Sequence, residues 1–221
     1  MIELYYSATP NGQKIALFLE EAAVPFRVHQ IDLNKGEQFT TEFLNIAPNN
    51  KIPAIVDHQP VDSGKPVALF ESGAILIYLA EKTGKFLSAE WRERANTLQW
   101  LFWQTSGLGP ASGQNYHFNH VAPQTIPYAI ERFQTETHRL YNVLNHQLEQ
   151  KQSPWVAGDH YSIADMAIWP WINRHEQQRI DLANYPAIHN WFTRIQIRPA
   201  TQRVIKLTRE NQPGDSQFTP F

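Results

Sequence analysis

The segment Asn49-Asn50-Lys51-Ile52-Pro53-Ala54-Ile55-Val56 is followed, after a turn, by Leu69-Phe70-Glu71-Ser72-Gly73-Ala74-Ile75-Leu76-Ile77-Tyr78-Leu79. Together they dictate a strand, a turn, a second strand and an apolar helix in quick succession. An Ile-Pro step entering a short apolar strand is a place for a cis peptide, because proline lowers the trans preference to about 0.5–1 kcal/mol. Such a turn leaves the N–H and C=O of Ile52 open to pair with an extended peptide, which gives affinity with little side-chain specificity. Glu71-Ser72 falls where the second strand ends and the helix begins. Ser72 is therefore expected to cap the helix and offer its hydroxyl and N–H to a carboxylate, with Glu71 holding the adjacent amino group. Taken singly, Pro53 reads as an ordinary turn and Ser72 as an ordinary cap. In one strand-turn-strand-helix frame they point to a cradle for a small peptide-like ligand.

Upstream, Ile2–Tyr6 reads as a strand, Gln13–Ala22 places Ile15, Ala16, Leu19 and Ala22 in helical period, and Phe26–Ile31 alternates into a second strand. That is a βαβ unit. A polar loop with a short helix over Gln38–Asn45 follows, then strands at Ala54–Val56 and Val67–Phe70, and a helix from Ser72 to about Lys82. The order βαβ-α-ββα describes an α/β domain over residues 1–83, closed by Thr83-Gly84-Lys85 with glycine in its usual place after a helix. Residues 90–208 read as all-helical, with helices at Trp91–Gly107, from Ile126 or Pro127 to Gln150, at Ser162–Ile172, and a last one opened by Tyr185-Pro186 that stops near Arg198-Pro199. Ser162-Ile163-Ala164-Asp165 is a capping-box signal with Tyr161 placed as a hydrophobic staple, which is a folding role. Residues 209–221 are polar and breaker-rich and read as a tail.

Length and composition exclude several classes of function. A chain of 221 residues buries one large core or two small ones. Its formal net charge is −2 with the signs interspersed, so neither nucleic acid nor an anionic membrane surface is an expected partner. Met1-Ile2-Glu3-Leu4-Tyr5-Tyr6 lacks the regions of a signal peptide, and no apolar run reaches the ~18 residues of a membrane span, so a cytoplasmic location is expected. Cysteine is absent, which removes disulfides, thiolate metal sites and any protein thiol nucleophile. Any thiol chemistry must be brought in by the ligand. Of the nine histidines none forms a convincing His-x-x-x-His pair with a nearby carboxylate, and His117 and His120 fall in an aromatic, Asn-rich stretch, so no metal is expected.

Ser7-Ala8-Thr9-Pro10-Asn11-Gly12, between the first strand and first helix, is the place to look for a thiol activator. A free thiol has a pKa near 8.5, and lowering it by about one unit takes roughly 1.4 kcal/mol of preferential anion stabilisation. The Thr9 hydroxyl, the Asn11 amide and the backbone N–H groups of a helix N-terminus are donors of the required kind. Capping the helix is the plain alternative for both side chains. Tyr6 is a rival activator or, more simply, a strand aromatic in the core, with Tyr5 on the other face. Gln38 and Lys51 are the polar groups available for a second, distal carboxylate of the ligand. Arg132 and Arg139 lie on nearly one face of a helix in the second domain, where either guanidinium reads as solvated or as a receptor for a further carboxylate. The aromatics around Trp100, Phe102, Trp103 and Tyr116 line a cosubstrate pocket or, for most of them, the core.

At Thr9-Pro10-Asn11-Gly12, Asn49 to Pro53, Glu71-Ser72 and Gly113-Gln114-Asn115-Tyr116-His117-Phe118-Asn119-His120, the chain resembles cytosolic glutathione transferases. More closely, it is similar to the bacterial nu-class members that act as glutathione-dependent disulfide-bond oxidoreductases. The resemblance extends to Gln99-Trp100-Leu101-Phe102-Trp103 and to Pro123–Arg132, and so to nearly the whole chain. It implies a thioredoxin-like domain followed by an all-α domain, a homodimer, and a cleft that accepts two glutathione molecules or one glutathione disulfide. It places Thr9 and Asn11 around the sulfur, Gln38, Ile52, Glu71 and Ser72 around the first glutathione, and Arg132 around the second. Lys51 and Pro53 complete the expected glutathione contacts. Thr9 and Asn11 stand where other transferases carry a tyrosine or serine activator, so strong conjugating activity is not expected.

The reaction so implied is thiol–disulfide exchange, in which a bound glutathione thiolate attacks a small disulfide and a second glutathione resolves the mixed disulfide. Conjugation of glutathione to a small electrophile is the alternative within enzymes. A non-enzymatic member that keeps the fold as a binding or regulatory module is the alternative of a different class.

Overall fold

The computed structural model describes residues 1–150 and 153–211. The chain begins with strand β1 (Ile2–Tyr6), helix α1 (Pro10–Ala22) and strand β2 (Phe26–Gln30). Two 3-10 turns, at Leu33–Lys35 and Glu37–Phe39, lead into a one-turn helix α2 (Thr41–Leu44), where a single helix over Gln38–Asn45 was expected. Strands β3 (Ala54–Asp57) and β4 (Val67–Phe70) and helix α3 (Ser72–Thr83) complete the βαβ-α-ββα order. Helices α4 (Trp91–Trp103), α5 (Gly109–His120), α6 (Pro127–Gln150), α7 (Ile163–Ile172), α8 (Pro186–Gln196) and α9 (Pro199–Glu210) follow. Among the described residues no helix is long and apolar enough to cross a membrane.

Chain contacts divide the described residues into two units, one of residues 1–87 with 197–211 and one of residues 88–196. The first unit is built on a four-stranded mixed sheet in the order β2-β1-β3-β4, with β1 parallel to β2 and β3 antiparallel to both β1 and β4. Ala54 lies opposite Tyr5 on one side and Phe70 on the other, and Gln30 lies opposite Tyr6. The exits of β1, β2 and β4 and the entry of β3 therefore share one edge of the sheet. The edge gathers the segments after Tyr6 and before Ala54, the one that leads to Gln38, and the Glu71-Ser72 step.

Helix α1 starts three residues earlier than its apolar period suggests. Thr9 is its N-cap, with Oγ1 accepting from the Gly12 N–H at 3.2 Å, and Pro10 sits at the first helical position, where its missing N–H and fixed φ suit it. Gly12 has no alternative: a Cβ there would lie 2.4 Å from the Ser7 carbonyl oxygen and 3.0 Å from the Tyr6 ring. On the opposite face of the sheet a second small core of Ile31, Phe43, Ala47 and Ala54 gathers Tyr5, Leu33, Ile46 and Ile52 around it. That cluster holds the Leu33–Leu44 segment, and Gln38 with it, against the same stretch of chain that carries Ile52.

Helix α9 belongs with the first unit, whereas residues up to 208 were expected in the helical domain. Pro199 does not merely stop α8; it opens α9 at its first position, with Arg198 as N-cap. Arg198 forms a two-point pair with Glu21 at 2.5 and 2.8 Å, and Arg203 pairs with Glu20 at 2.5 Å, so both acidic residues near the end of α1 are engaged. Near the start of α1, Thr208 Oγ1 accepts from Gln13 Nε2 at 3.1 Å and lies 2.9 Å from the Tyr6 hydroxyl. Arg209 and Glu210 are helical too, so the expected tail starts later than residue 209; its residues 212–221 lie outside the described residues.

In the second unit, α4 and α5 are joined by a π turn at Gln104–Leu108, with the Gly109 N–H donating to the Gln104 carbonyl. The expected helix Trp91–Gly107 thus changes pitch at Gln104, and the Asn-rich stretch that follows is helix α5. Trp100 is buried, Trp103 and Tyr116 are half-buried, and Phe102 is 57% exposed, so only the first joins the core outright. At α7 the capping box is complete: Ser162 and Asp165 cap each other, and Asp165 Oδ1 also accepts from the Val156 N–H at 3.0 Å and from Trp191 Nε1 at 2.8 Å.

A buried carboxylate fixes β3 to α3. Asp57 accepts from Tyr78 Oη at 2.7 Å and the Gln59 N–H at 2.9 Å and pairs with Lys82 Nζ at 2.6 Å. Burial pushes the Asp57 carboxyl up, but the bonds from Lys82, Gln59 and Tyr78 outweigh it and leave the pKa below 3.8. Its folded pKa is depressed, so its contribution is present at neutral pH and is lost as pH falls through that value. Asp57→Asn should cost about 2–3 kcal/mol, or roughly 5–10 °C in Tm at pH 7, with the gap to the parent narrowing below about pH 4. Thermal melts of both proteins from pH 7 to pH 3 check this. Tyr6→Phe, which loses the bond to Thr208, should lower stability by about 1 kcal/mol in a denaturant titration.

Candidate active site

Four segments converge at the shared edge of the sheet. The first is the N-terminus of α1. Thr9 is 5% exposed, and its Oγ1 uses a lone pair to cap the helix, so the plain role foreseen for it is real. The cap leaves the hydroxyl proton to donate elsewhere. Asn11 is half-buried in the first turn of α1, one residue past Pro10, where the aligned peptide dipoles favour an anion. Both residues, expected in a turn, are thus held on rigid backbone.

The second segment is the Ile52-Pro53 peptide, which is cis. The ladders of β3 with β1 and β4 begin at Ala54, so Ile52 stands outside them. Pro53 is buried, Ile52 is half-buried against the small core, and Lys51 is exposed beside it. Asn50, just upstream, has φ 47°, a left-handed conformation that asparagine tolerates.

The third is the entry to α3, where the structure corrects the expected cap. Glu71, not Ser72, occupies the N-cap position, and no side chain caps the helix there. Ser72 is already helical. Glu71 has φ 69° and ψ 111°, a sparsely populated conformation for a residue with a Cβ, and such conformations gather at ligand-binding positions. Among the described residues the first-turn N–H groups of α3 therefore receive no cap from the N-cap side chain, an arrangement that suits a carboxylate. The Ser72 hydroxyl, 8% exposed, accepts from Lys14 Nζ at 3.1 Å.

The fourth is Gln38, which is 8% exposed; its Nε2 donates to the Leu33 carbonyl at 3.4 Å, and its buried Oε1 has no partner among the described residues. An orphaned buried acceptor is costly unless something completes it. A peptide N–H from a ligand lying along Ile52 would do so. The donor and acceptor set at this edge thus suits an extended peptide carrying a terminal carboxylate and a thiol.

Tyr6, Arg132 and Arg139 are not part of these four segments. Tyr6 is fully buried with its hydroxyl engaged by Thr208, so it is a core residue. Arg132 lies on α6 in the helical unit, exposed, with its guanidinium 3.4 Å from the Tyr128 hydroxyl. Its neighbour Arg139 is held by Glu136 in a two-point pair at 2.7 Å. Among the described residues no group of three or more His, Asp or Glu side chains is arranged to hold a metal.

Lys14 is the residue that sequence reasoning missed. It is 1% exposed in the middle of α1, and burial pushes its pKa down to about 7 against the opposing pull of Glu71. The signal was present in the residues around it. A helix with apolar side chains on every side, here Ile15, Leu17, Phe18 and Leu19, has no wet face to take a lysine.

The chain is similar to known proteins along nearly its whole length. The family described as glutathione S-transferase, N-terminal domain, matches residues 8–82, and its C-terminal counterpart matches residues 125–199. The chain is 65% identical to the disulfide-bond oxidoreductase YfcG of Escherichia coli over 98% of this chain and 100% of that protein. A glutathione transferase family member from Pseudomonas fluorescens, solved with two glutathione bound, superposes with a TM-score of 0.87 at 39% identity and covers 92% of each chain. A glutathione transferase from Pseudomonas putida, solved with one glutathione disulfide per subunit, gives a TM-score of 0.88 at 36% identity over 93% of this chain and 91% of that one. A thioredoxin-like α/β unit and a helical unit, matched by both domain families and by relatives along nearly its full length, establish that this chain belongs to the glutathione S-transferase family.

Proposed function

We propose that the protein is a glutathione-dependent disulfide-bond oxidoreductase that uses bound glutathione as its thiol. The observation that carries this reading is the cradle at the sheet edge in a chain that has no cysteine of its own. The 65% identity to a disulfide-bond oxidoreductase supports the same activity. In the proposed complex the peptide backbone of glutathione lies along Ile52 and Pro53, its γ-glutamyl end is held by Glu71 and Ser72, and Gln38 and Lys51 face its glycine end. Its sulfur then meets the Thr9 hydroxyl, Asn11 and the positive end of α1.

The chemistry balances without a metal or a protein thiol. The glutathione thiolate attacks one sulfur of a small disulfide, forming a mixed disulfide and expelling a thiolate that takes a proton from solvent. A second glutathione thiolate attacks the glutathione sulfur of that mixed disulfide, giving glutathione disulfide and the second thiol. Two glutathiones are oxidised and one disulfide is reduced. The protein contributes proximity and stabilisation of the attacking anion.

The neighbouring structures hold two glutathione in one case and one glutathione disulfide per subunit in the other, which supports a site here for two glutathione units, with Arg132 receiving a carboxylate of the second. The reading includes a homodimer in the cytoplasm. Trp91 and Phe102, exposed and about three turns apart on α4, offer it an apolar face.

Glutathione-dependent reduction of 2-hydroxyethyl disulfide, run beside conjugation of an aryl halide, tests the activity. Fast reduction with feeble conjugation is expected, and the reverse ratio would make the protein a conjugating transferase. Asn11→Ala should lower kcat for disulfide reduction about 10- to 100-fold while moving the KM for glutathione less than about threefold. Equal losses in both would remove Asn11 from the sulfur. Tyr6→Phe should leave kcat within about twofold, since its hydroxyl faces Thr208.

A further inference from the structure

We infer that Lys14 is a positioning residue for the γ-glutamyl end of glutathione: its buried ammonium orients the Ser72 hydroxyl and supplies the positive charge that the ligand's α-carboxylate meets at the start of α3. The inference rests on the glutathione reading above and deepens it at one subsite.

Three observations converge on this residue. The Lys14 side chain is sealed inside the unit at 1% exposure, and among the described residues its one hydrogen bond is the donation to Ser72 Oγ at 3.1 Å. No carboxylate pairs with it there, and Glu71, itself exposed, is the charge that acts on it through space. A buried cation without a paired anion is costly, and proteins complete such groups with a partner or a ligand. The completing anion has one natural place. Ser72 spends a lone pair on Lys14, so its proton points away from the lysine, and the uncapped first turn of α3 adds backbone donors beside it. A carboxylate seated there accepts from the Ser72 hydroxyl and from the helix while Lys14 lies one atom behind. Burial holds the lysine near its titration point, at about 7, in the free protein, and an arriving carboxylate favours its charged form. Thr9 and Asn11, on the same helix, serve the sulfur, so α1 would address both reacting and anchoring ends of one ligand.

The test compares glutathione with γ-aminobutyryl-cysteinylglycine, the same peptide without the α-carboxylate, on the full-length parent and on Lys14→Met. Methionine fills the lysine's space without charge, and Lys14→Gln serves as the second variant, keeping a donor for Ser72 but no charge. Thermal melts confirm that the variants fold. Binding is read by isothermal titration and turnover by 2-hydroxyethyl disulfide reduction. The parent should bind glutathione at least about tenfold more tightly than the analogue, and both variants should lose about tenfold in glutathione affinity while their affinity for the analogue moves less than about twofold. The KM for glutathione should rise to match, with kcat at saturation within about twofold of the parent. A folded variant that weakens both peptides alike, or neither, overturns the role of Lys14. A parent protein that binds no glutathione overturns the ligand assignment itself and the inference with it.

Discussion

Because β3 runs antiparallel to β1 on one side and to β4 on the other, the chain leaves β1, enters β3 and leaves β4 at a single edge of the sheet. Every candidate group of the first unit depends on that pairing. A shift of one residue in β3 would turn its side chains, Ala54 among them, to the other face and break the small core that holds the Gln38 segment in place. The Asp57 network at the other end of β3 ties the strand to α3 and so controls the register and the placing of Ser72 together.

Helix α1 converts this edge into chemistry. Every residue from Gly12 to Leu19 is buried, because β1, α3 and α9 all pack on the helix. Such burial makes its N-terminus a rigid, partly desolvated donor set, where a hydrogen bond to an anion is worth more than in water. The same burial forces Lys14 into an environment that a surface helix would never impose on it. Thr9 and Gly12 show how little slack remains, one capping the helix and the other admitting the Ser7 carbonyl where any side chain would collide.

The strand-turn-strand-helix frame was legible in the sequence because each of its signals is local: alternation in β3 and β4, an Ile-Pro step, and Gly84 at the end of α3. Errors arose where the deciding contact is remote. Pro199 reads equally well as a stop and as a first helical residue, and the contacts that select the second are remote: α9 packs on α1 through buried Ala200 and Val204, Thr208 meets Gln13, and Arg198 and Arg203 pair with Glu21 and Glu20. Gly109–His120 has weak intrinsic helix preference and is helical because Asn115, Gly109 and Gly113 pack against the rest of the helical unit. At Glu71-Ser72 the N-cap position falls one residue earlier than expected, since a backbone φ of 69° at a glutamate leaves no trace in residue type. Tyr6 and Tyr5 divided between the two faces of the sheet as alternation requires, one to α9 and the other to Phe43.

The return of α9 to α1 makes the first unit discontinuous along the chain, with residues 88–196 intervening. During synthesis the sheet and α1 are complete long before the helix that covers them exists. At ribosomal rates of about 5–20 residues per second, roughly 5–20 s pass before Pro199–Glu210 can follow. Over that interval Gln13 lacks its Thr208 partner, and Glu20 and Glu21 have no arginine partners. The nascent unit therefore stays open along the face of α1 that later receives α9.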